Sequence, residues 1–166
     1  MLLSPPRSWQ RVSHNYKDNV EISEYIPAGQ TPEEWKERIT VQIMHGVKGA
    51  DPESILGKLL SAAERACDNL GARVIPFQQG SDYSTRGVIQ GCGHVRDSPY
   101  GEFTIIRAIA GKNNLYVIQK AWRLPAWETS ESPGVSDDEI LKWLDYLGSA
   151  RVCDTRERNC PEATGH

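Results

Sequence analysis

The segment from Glu102 to Arg123 limits the fold more than any other part of the chain. Two apolar-rich runs, about Glu102 to Ala110 and Leu115 to Arg123, are separated only by Gly111-Lys112-Asn113-Asn114. A link this short and this rich in turn residues predicts an antiparallel hairpin, because parallel strands need a crossover of roughly a dozen residues. By the two-residue period of a strand, Phe103, Ile105 and Ile109 share one face of the first run. Tyr116, Ile118 and Trp122 share a face of the second. So much apolar surface has to be covered, and a helix packed on the sheet is expected.

The rest of the chain supplies more strands and two covering helices. Trp9 to His14 and Val20 to Ile26 read as an opening hairpin, and Ile39 to Met44 carries β-branched residues at alternate positions. Between them, Thr31-Pro32-Glu33-Glu34 has the form of a helix start, so a short helix carrying Trp35 is expected. Asp51-Pro52 repeats that form and opens the longest helix, about Pro52 to Leu70. Its apolar residues recur at spacings of three and four, with Cys67 on the buried side and Gly71 as the stop. A strand from about Arg73 to Gln78 follows, in which Pro76, having no N–H to give to a ladder, marks an edge position or an irregularity. Another strand spans about Thr85 to His94. The capping box Ser136-Asp137-Asp138-Glu139 then leads into a closing amphipathic helix near 136–147. The fold class is therefore α+β: one domain over 9–160, mainly an antiparallel twisted sheet of about six or seven strands, packed by helices near 52–70 and 136–147. Residues 1–8 read as a disordered or extended lead and 161–166 as a flexible tail.

Charge and cysteine use narrow the partners and the compartment. With 19 Lys+Arg against 22 Asp+Glu in 166 residues, the net charge is −3. No polybasic block offers phosphates a counter-charge, so a nucleic-acid partner is not expected. No run reaches the roughly 18 apolar residues of a membrane helix, so no transmembrane segment is expected. The chain has four cysteines. Cys153 and Cys160 bracket a short polar stretch that a disulfide can close, and a Cys67–Cys92 bridge would tie helix to sheet if their Cα atoms lie within about 7 Å. Alternatively, Cys67 is a free apolar core residue. Zinc is not expected, because the four show no C-x2-C or H-x3-H spacing. The disulfide pattern points to an extracytoplasmic protein, periplasmic or secreted, with its signal peptide absent from this chain, since Met1 to Arg7 lack an apolar signal core. A cytosolic chain with free thiols is the alternative.

Tyr25-Ile26-Pro27-Ala28-Gly29-Gln30-Thr31 before Trp35 and Ile39-Thr40-Val41-Gln42, the run from Gly111 to Arg123, and the Cys67/Cys92 arrangement resemble small uncharacterised bacterial exported proteins. The order of elements, a sheet meander interrupted by one helix and closed by another, resembles the PsbP-like α/β/α sandwich. That resemblance implies an accessory or binding role, and it brings no catalytic residue with it.

The residues themselves offer little chemistry. Besides His166, the histidines are His14, His45 and His94, and no H-E-x-x-H, G-x-S-x-G or C-x-x-C is present. No cofactor or metal ligand set follows from the sequence. Cys92-Gly93-His94-Val95-Arg96-Asp97 brings a thiol, an imidazole and a guanidinium close in sequence, and a free Cys92 beside His94 would be a candidate nucleophile pair. Tyr100, Trp122, Arg123 and Trp127 form a candidate aromatic-basic binding surface, against which stands the plainer reading of Trp122 as core. The sheet edge and the loop from Leu124 to Val135 are candidate contact surfaces. Two function classes follow. The first is a non-enzymatic exported module for a protein or small-ligand partner. The alternative is a small hydrolase or transferase with a site near Cys92/His94, whose pocket would hold His94 or His45 beside a perturbed carboxylate.

Overall fold

In the computed structural model, which describes residues 4–77, 83–128 and 133–152, three strands open the fold: β1 (Trp9–Lys17), β2 (Val20–Pro27) and β3 (Glu37–His45). Helix α1 (Pro52–Ala66) follows, then β4 (Leu70–Ile75), β5 (Thr85–Cys92), β6 (Tyr100–Ala110), β7 (Asn114–Pro125) and α2 (Asp137–Ser149). The seven strands form one sheet in the order β1-β2-β3-β7-β6-β5-β4, antiparallel at every step. The hairpin expected around Gly111 is its centre, with Phe103 opposite Trp122 and Ile109 opposite Tyr116. The α+β class is as expected, and β4 occupies an edge.

A helix covers each face. Phe103, Ile105 and Ile109 of β6 and Ile118 and Trp122 of β7 pack with Trp143 and Leu147 of α2. The alternate residues Ile106, Ala108 and Val117 pack on the opposite face with Leu56 of α1 and Val88. Strand periodicity alone accounts for this split. A third small cluster, Ile26, Trp35 and Ala121, extends the α1 face toward β2.

Local chemistry explains most of the boundaries. β1 and β2 meet in a two-residue turn whose Asp18 and Asn19 both have positive φ, 51° and 62°, as a primed hairpin turn needs. The Asp51 carboxylate accepts from the Glu53 and Ser54 N–H groups at the start of α1, and Ser136 Oγ accepts from Glu139 N–H at the start of α2. Three expectations are corrected. No helix carries Trp35. The Glu34 N–H does reach Thr31 Oγ1 at 3.2 Å, but Gln30 Oε1 then takes the Lys36 N–H at 2.6 Å. Trp35 turns inward to 3% exposure, and the chain enters β3 at Glu37. The long helix also stops at Ala66 rather than Leu70. Cys67 is extended (φ −126°, ψ 138°), bridges Val95 and is disulfide-bonded to Cys92. A cross-link to the sheet pulls the chain out of helical geometry one turn early, so Gly71 lies inside β4 and is not a helix stop. β4 itself runs earlier than the sequence suggested, from Leu70, and closes just before Pro76.

Two cations lie fully inside the α2 layer. Lys120 Nζ sits 4.0 Å from the ring centre of Trp122, 4.6 Å from Trp143 and 5.2 Å from Trp9, and donates to Glu37 Oε2 at 2.7 Å. Burial pushes its pKa down to about 8, against the pull of Glu37. Arg107 donates through Nη1 to the carbonyls of Leu147 and Ala150 and through Nε to Thr85 Oγ1. It thereby caps the α2 C-terminus, where unpaired carbonyls gather negative potential.

Candidate functional site

Small residues on an edge strand leave an opening beside α2. Gly71 is so open that a Cβ added there would meet nothing within 4 Å, and Gly91 lies beside it on β5. The result is a groove of about 610 Å³ between the β4 edge and the first turns of α2. Ile75, Ile89 and Phe103 line its sheet side, and Val135, Ile140 and Leu144 line its helix side. Two charges stand in it, Arg73 from β4 and Asp137 from the α2 N-terminus. Arg73 is exposed and has no hydrogen-bond or ion-pair partner among the described residues. Val135 belongs to the loop singled out as a contact surface, while Leu124 and Pro125 at that loop's start belong instead to β7.

The β4 edge has a second property. Among the described residues its only ladder is with β5, in unbroken register from Leu70↔Cys92 to Ile75↔Gly87. Every second residue therefore turns its N–H and C=O away from the sheet. The opposite edge differs, because β1 carries a register irregularity between Arg11 and Ser13, and bulges of that kind discourage pairing.

The four residues of the aromatic-basic surface divide between the two faces. Trp122 is core, 4% exposed, and its Nε1 donates to Glu139 Oε1 at 3.0 Å. Trp127 crosses the same face above Gly101, where any Cβ would overlap its ring. Tyr100 and Arg123 lie on the other face and do meet. The Arg123 guanidinium is 4.2 Å from the Tyr100 ring and 4.2 Å from Trp35, whose ring is also 4.2 Å from Arg38. Arg38–Trp35–Arg123–Tyr100 is thus a ladder of alternating cations and rings, anchored by Arg123 Nη1 to Glu33 O and by Arg38 to Glu24. The sequence pattern conceals Trp35 and Arg38 as partners here, because Thr31-Pro32 predicts a helix around Trp35. Glu102, opposite Arg123 in the ladder of β6 and β7, has its carboxyl pKa raised by burial while Arg38 and Arg123 pull the other way.

The candidate nucleophile pair does not survive. Cys92 Sγ is bonded to Cys67, with the Cα atoms 5.7 Å apart, so Cys92 has no thiolate to attack with and Cys67 is not a free core thiol. β5 ends at Cys92 and His94 turns to other partners. Its Nδ1 lies 2.8 Å from Asp68 Oδ2 and its Nε2 2.8 Å from the Ser98 carbonyl. Both partners are acceptors and a neutral imidazole has one N–H, so this geometry holds the imidazolium. The Asp68 hydrogen bond first, and the Ser98 carbonyl second, raise the His94 pKa. His94 and Arg96 lower that of Asp68. A smaller pocket of about 420 Å³ adjoins this group, lined by His94, Asp68, Asn69 and Trp127.

The other two described histidines meet at one carboxylate: His45 Nε2 is 3.2 Å from Glu21 Oε2, and His14 Nδ1 is 4.0 Å from Glu21 Oε1 and 3.0 Å from Ser23 Oγ. Among the described residues, no group of three His, Cys, Asp or Glu is placed to hold a metal ion, and no helix is long and apolar enough to cross a membrane. Cys153 and Cys160 lie outside the described residues. In comparisons with known proteins, no family model and no curated protein matches this chain.

Proposed function

We propose that this chain is a non-enzymatic exported binding module whose ligand site is the groove between β4 and α2. The observation that carries the reading is the groove itself: six apolar side chains, from β4, β5, β6, α2 and the residue two before α2, line one open channel. Apolar surface of this kind, set with a few polar groups, is the usual lining of a ligand site, and burying it supplies roughly 25 cal/mol per Å². The Cys67–Cys92 disulfide supports an oxidising compartment, and the net charge of −3 argues for a partner other than nucleic acid.

The test is titration with an anilinonaphthalene sulfonate dye, whose fluorescence rises in apolar surroundings. The native chain is expected to give a saturable signal. Gly71→Trp fills the groove from a position with open space above it, so the fold is retained and most of that signal is lost. An undiminished signal in Gly71→Trp would show that the dye binds elsewhere and would remove the groove as the ligand site.

A further inference from the structure

We infer that the occupant of this groove is an extended segment of another protein, added as a further strand along the outer edge of β4, with a carboxylate facing Arg73. This rests on the proposal that the groove is the ligand site, and it specifies what fills it. A free lipid or other small apolar molecule would use the side chains of the groove but leave the β4 edge unpaired. An added strand uses both, because its backbone meets the outward N–H and C=O groups of β4 while every second side chain, about 6.8 Å apart, falls on one face. That face is the one bearing Gly71, Arg73 and Ile75, all of which line the groove. Gly71 leaves room there for an incoming side chain.

Three further features favour an added strand. Register along β4 is unbroken for all six residues, about 20 Å of template. The Cys67–Cys92 bond and the Cys67↔Val95 bridge fix the chain immediately before it, so little ordering remains to oppose docking. Arg73, midway along the strand and without a partner among the described residues, selects an acidic residue in the segment. Asp137 on the helix wall disfavours a second carboxylate near the α2 end. Pairing with a second copy of β4 is opposed in the register centred on Arg73, which sets two guanidinium groups face to face.

The probe is the acetylated, amidated peptide Val-Thr-Asp-Thr-Val-Thr-Val, whose Val and Asp side chains share one face when extended. Displacement of the dye is read for the full chain. Two variants of the peptide carry N-methyl groups on alternate amides, one in each phase. Methylation in the phase that meets β4 is expected to weaken displacement roughly tenfold or more, through loss of two or three hydrogen bonds, and methylation in the other phase to change it little. Arg73→Gln is expected to weaken the Asp peptide roughly threefold and to leave its Asn counterpart unaffected. If the dye binds in the groove but the peptide fails to displace it, or both methylated forms displace it equally well, strand addition is wrong while the groove stands. If Gly71→Trp leaves dye binding intact, the groove reading itself has failed. A stable dimer by sedimentation that Gly71→Trp dissociates would overturn the inference in favour of a second copy.

Discussion

Removing the Cys67–Cys92 bond should cost a calculable amount of stability and should cost it in one place. The bond closes a loop of sequence separation 25. In the chain-entropy treatment, constraining a loop of that length raises stability by about 3.5 kcal/mol at 25 °C. Cys67 and Cys92 are 4% and 6% exposed, so replacing both with alanine also removes two buried sulfur atoms and adds a little to that figure. An unfolding entropy of about 2.1 cal/mol/K per residue gives roughly 0.3 kcal/mol/K for a domain of this size, so the expected fall in Tm is about 10 °C. The Cys67→Ala/Cys92→Ala variant is the cleaner perturbation because it leaves no lone thiol. Thermal and urea unfolding followed by circular dichroism give the size of the effect, and the urea m-value should rise as the unlinked unfolded chain expands. Amide hydrogen exchange gives the place. Protection should fall first around Asp68, Asn69 and the β4–β5 ladder, while the β6–β7 hairpin keeps its own, since its contacts do not pass through the bond. A fall in Tm under about 3 °C, or a loss of protection spread evenly over the sheet, would refute the view that this cross-link holds the β4 edge in place.

Other outcomes follow from buried charges and close contacts. The folded Lys120 pKa of about 8 lies below the ordinary 10.5, so between those pH values the unfolded chain binds more protons and stability should climb with pH. The climb is of order 3 kcal/mol. Urea midpoints from pH 7 to 10 should show it in the native chain relative to Lys120→Met, in which it should be absent; parallel curves would contradict the buried-ammonium assignment. His94, raised by Asp68 and the Ser98 carbonyl, contributes stability that is present at low pH and fades as pH rises through its folded pKa. Its NMR titration midpoint should lie above 6.5 and fall in Asp68→Asn, and a native midpoint at or below 6.5 would be inconsistent with the two-acceptor geometry. Leu147→Ala, at a fully buried position on the inner face of α2, should cost about 2–5 kcal/mol by urea unfolding. Gly101→Ala would push a methyl into the Trp127 ring and two backbone carbonyl oxygens; it should destabilise clearly, whereas Gly71→Ala should be close to neutral, and equal costs would show the Trp127 placement to be wrong.

Much of the fold was legible because it is local. The central hairpin and both helix caps follow from spacing and cap residues; Pro76 points to an edge, but it lies just past β4 and ends the strand rather than placing it. The errors arose where distant contacts override local preference. Thr31-Pro32 begins a helix by propensity, but Trp35 packs against Ile26 and Ala121 and the chain turns into β3. The stripe from Ile55 to Leu70 continues past Ala66, yet the bond to Cys92 ends the helix there. Adjacency in sequence groups Trp122 with Arg123, but successive strand residues face opposite ways, so the period of two separates them. The charges at Arg107 and Lys120 interrupt apolar faces and so carried a signal of buried, partnered cations, but their partners on α2, Trp9 and Glu37 are remote in sequence. The groove was out of reach for the same reason: it forms only when β4 and α2, separated by more than sixty residues, are placed side by side.

The most direct measurement is a two-dimensional amide NMR titration of the full chain with the Val-Thr-Asp-Thr-Val-Thr-Val peptide. Strand addition in the groove is expected to shift and protect alternate amides of Gly71 to Ile75 and to move Ile140 and Leu144 on α2, leaving Arg123 and Trp35 unchanged. Shifts concentrated on the Arg38–Trp35–Arg123–Tyr100 ladder or around His94, with β4 silent, would contradict it.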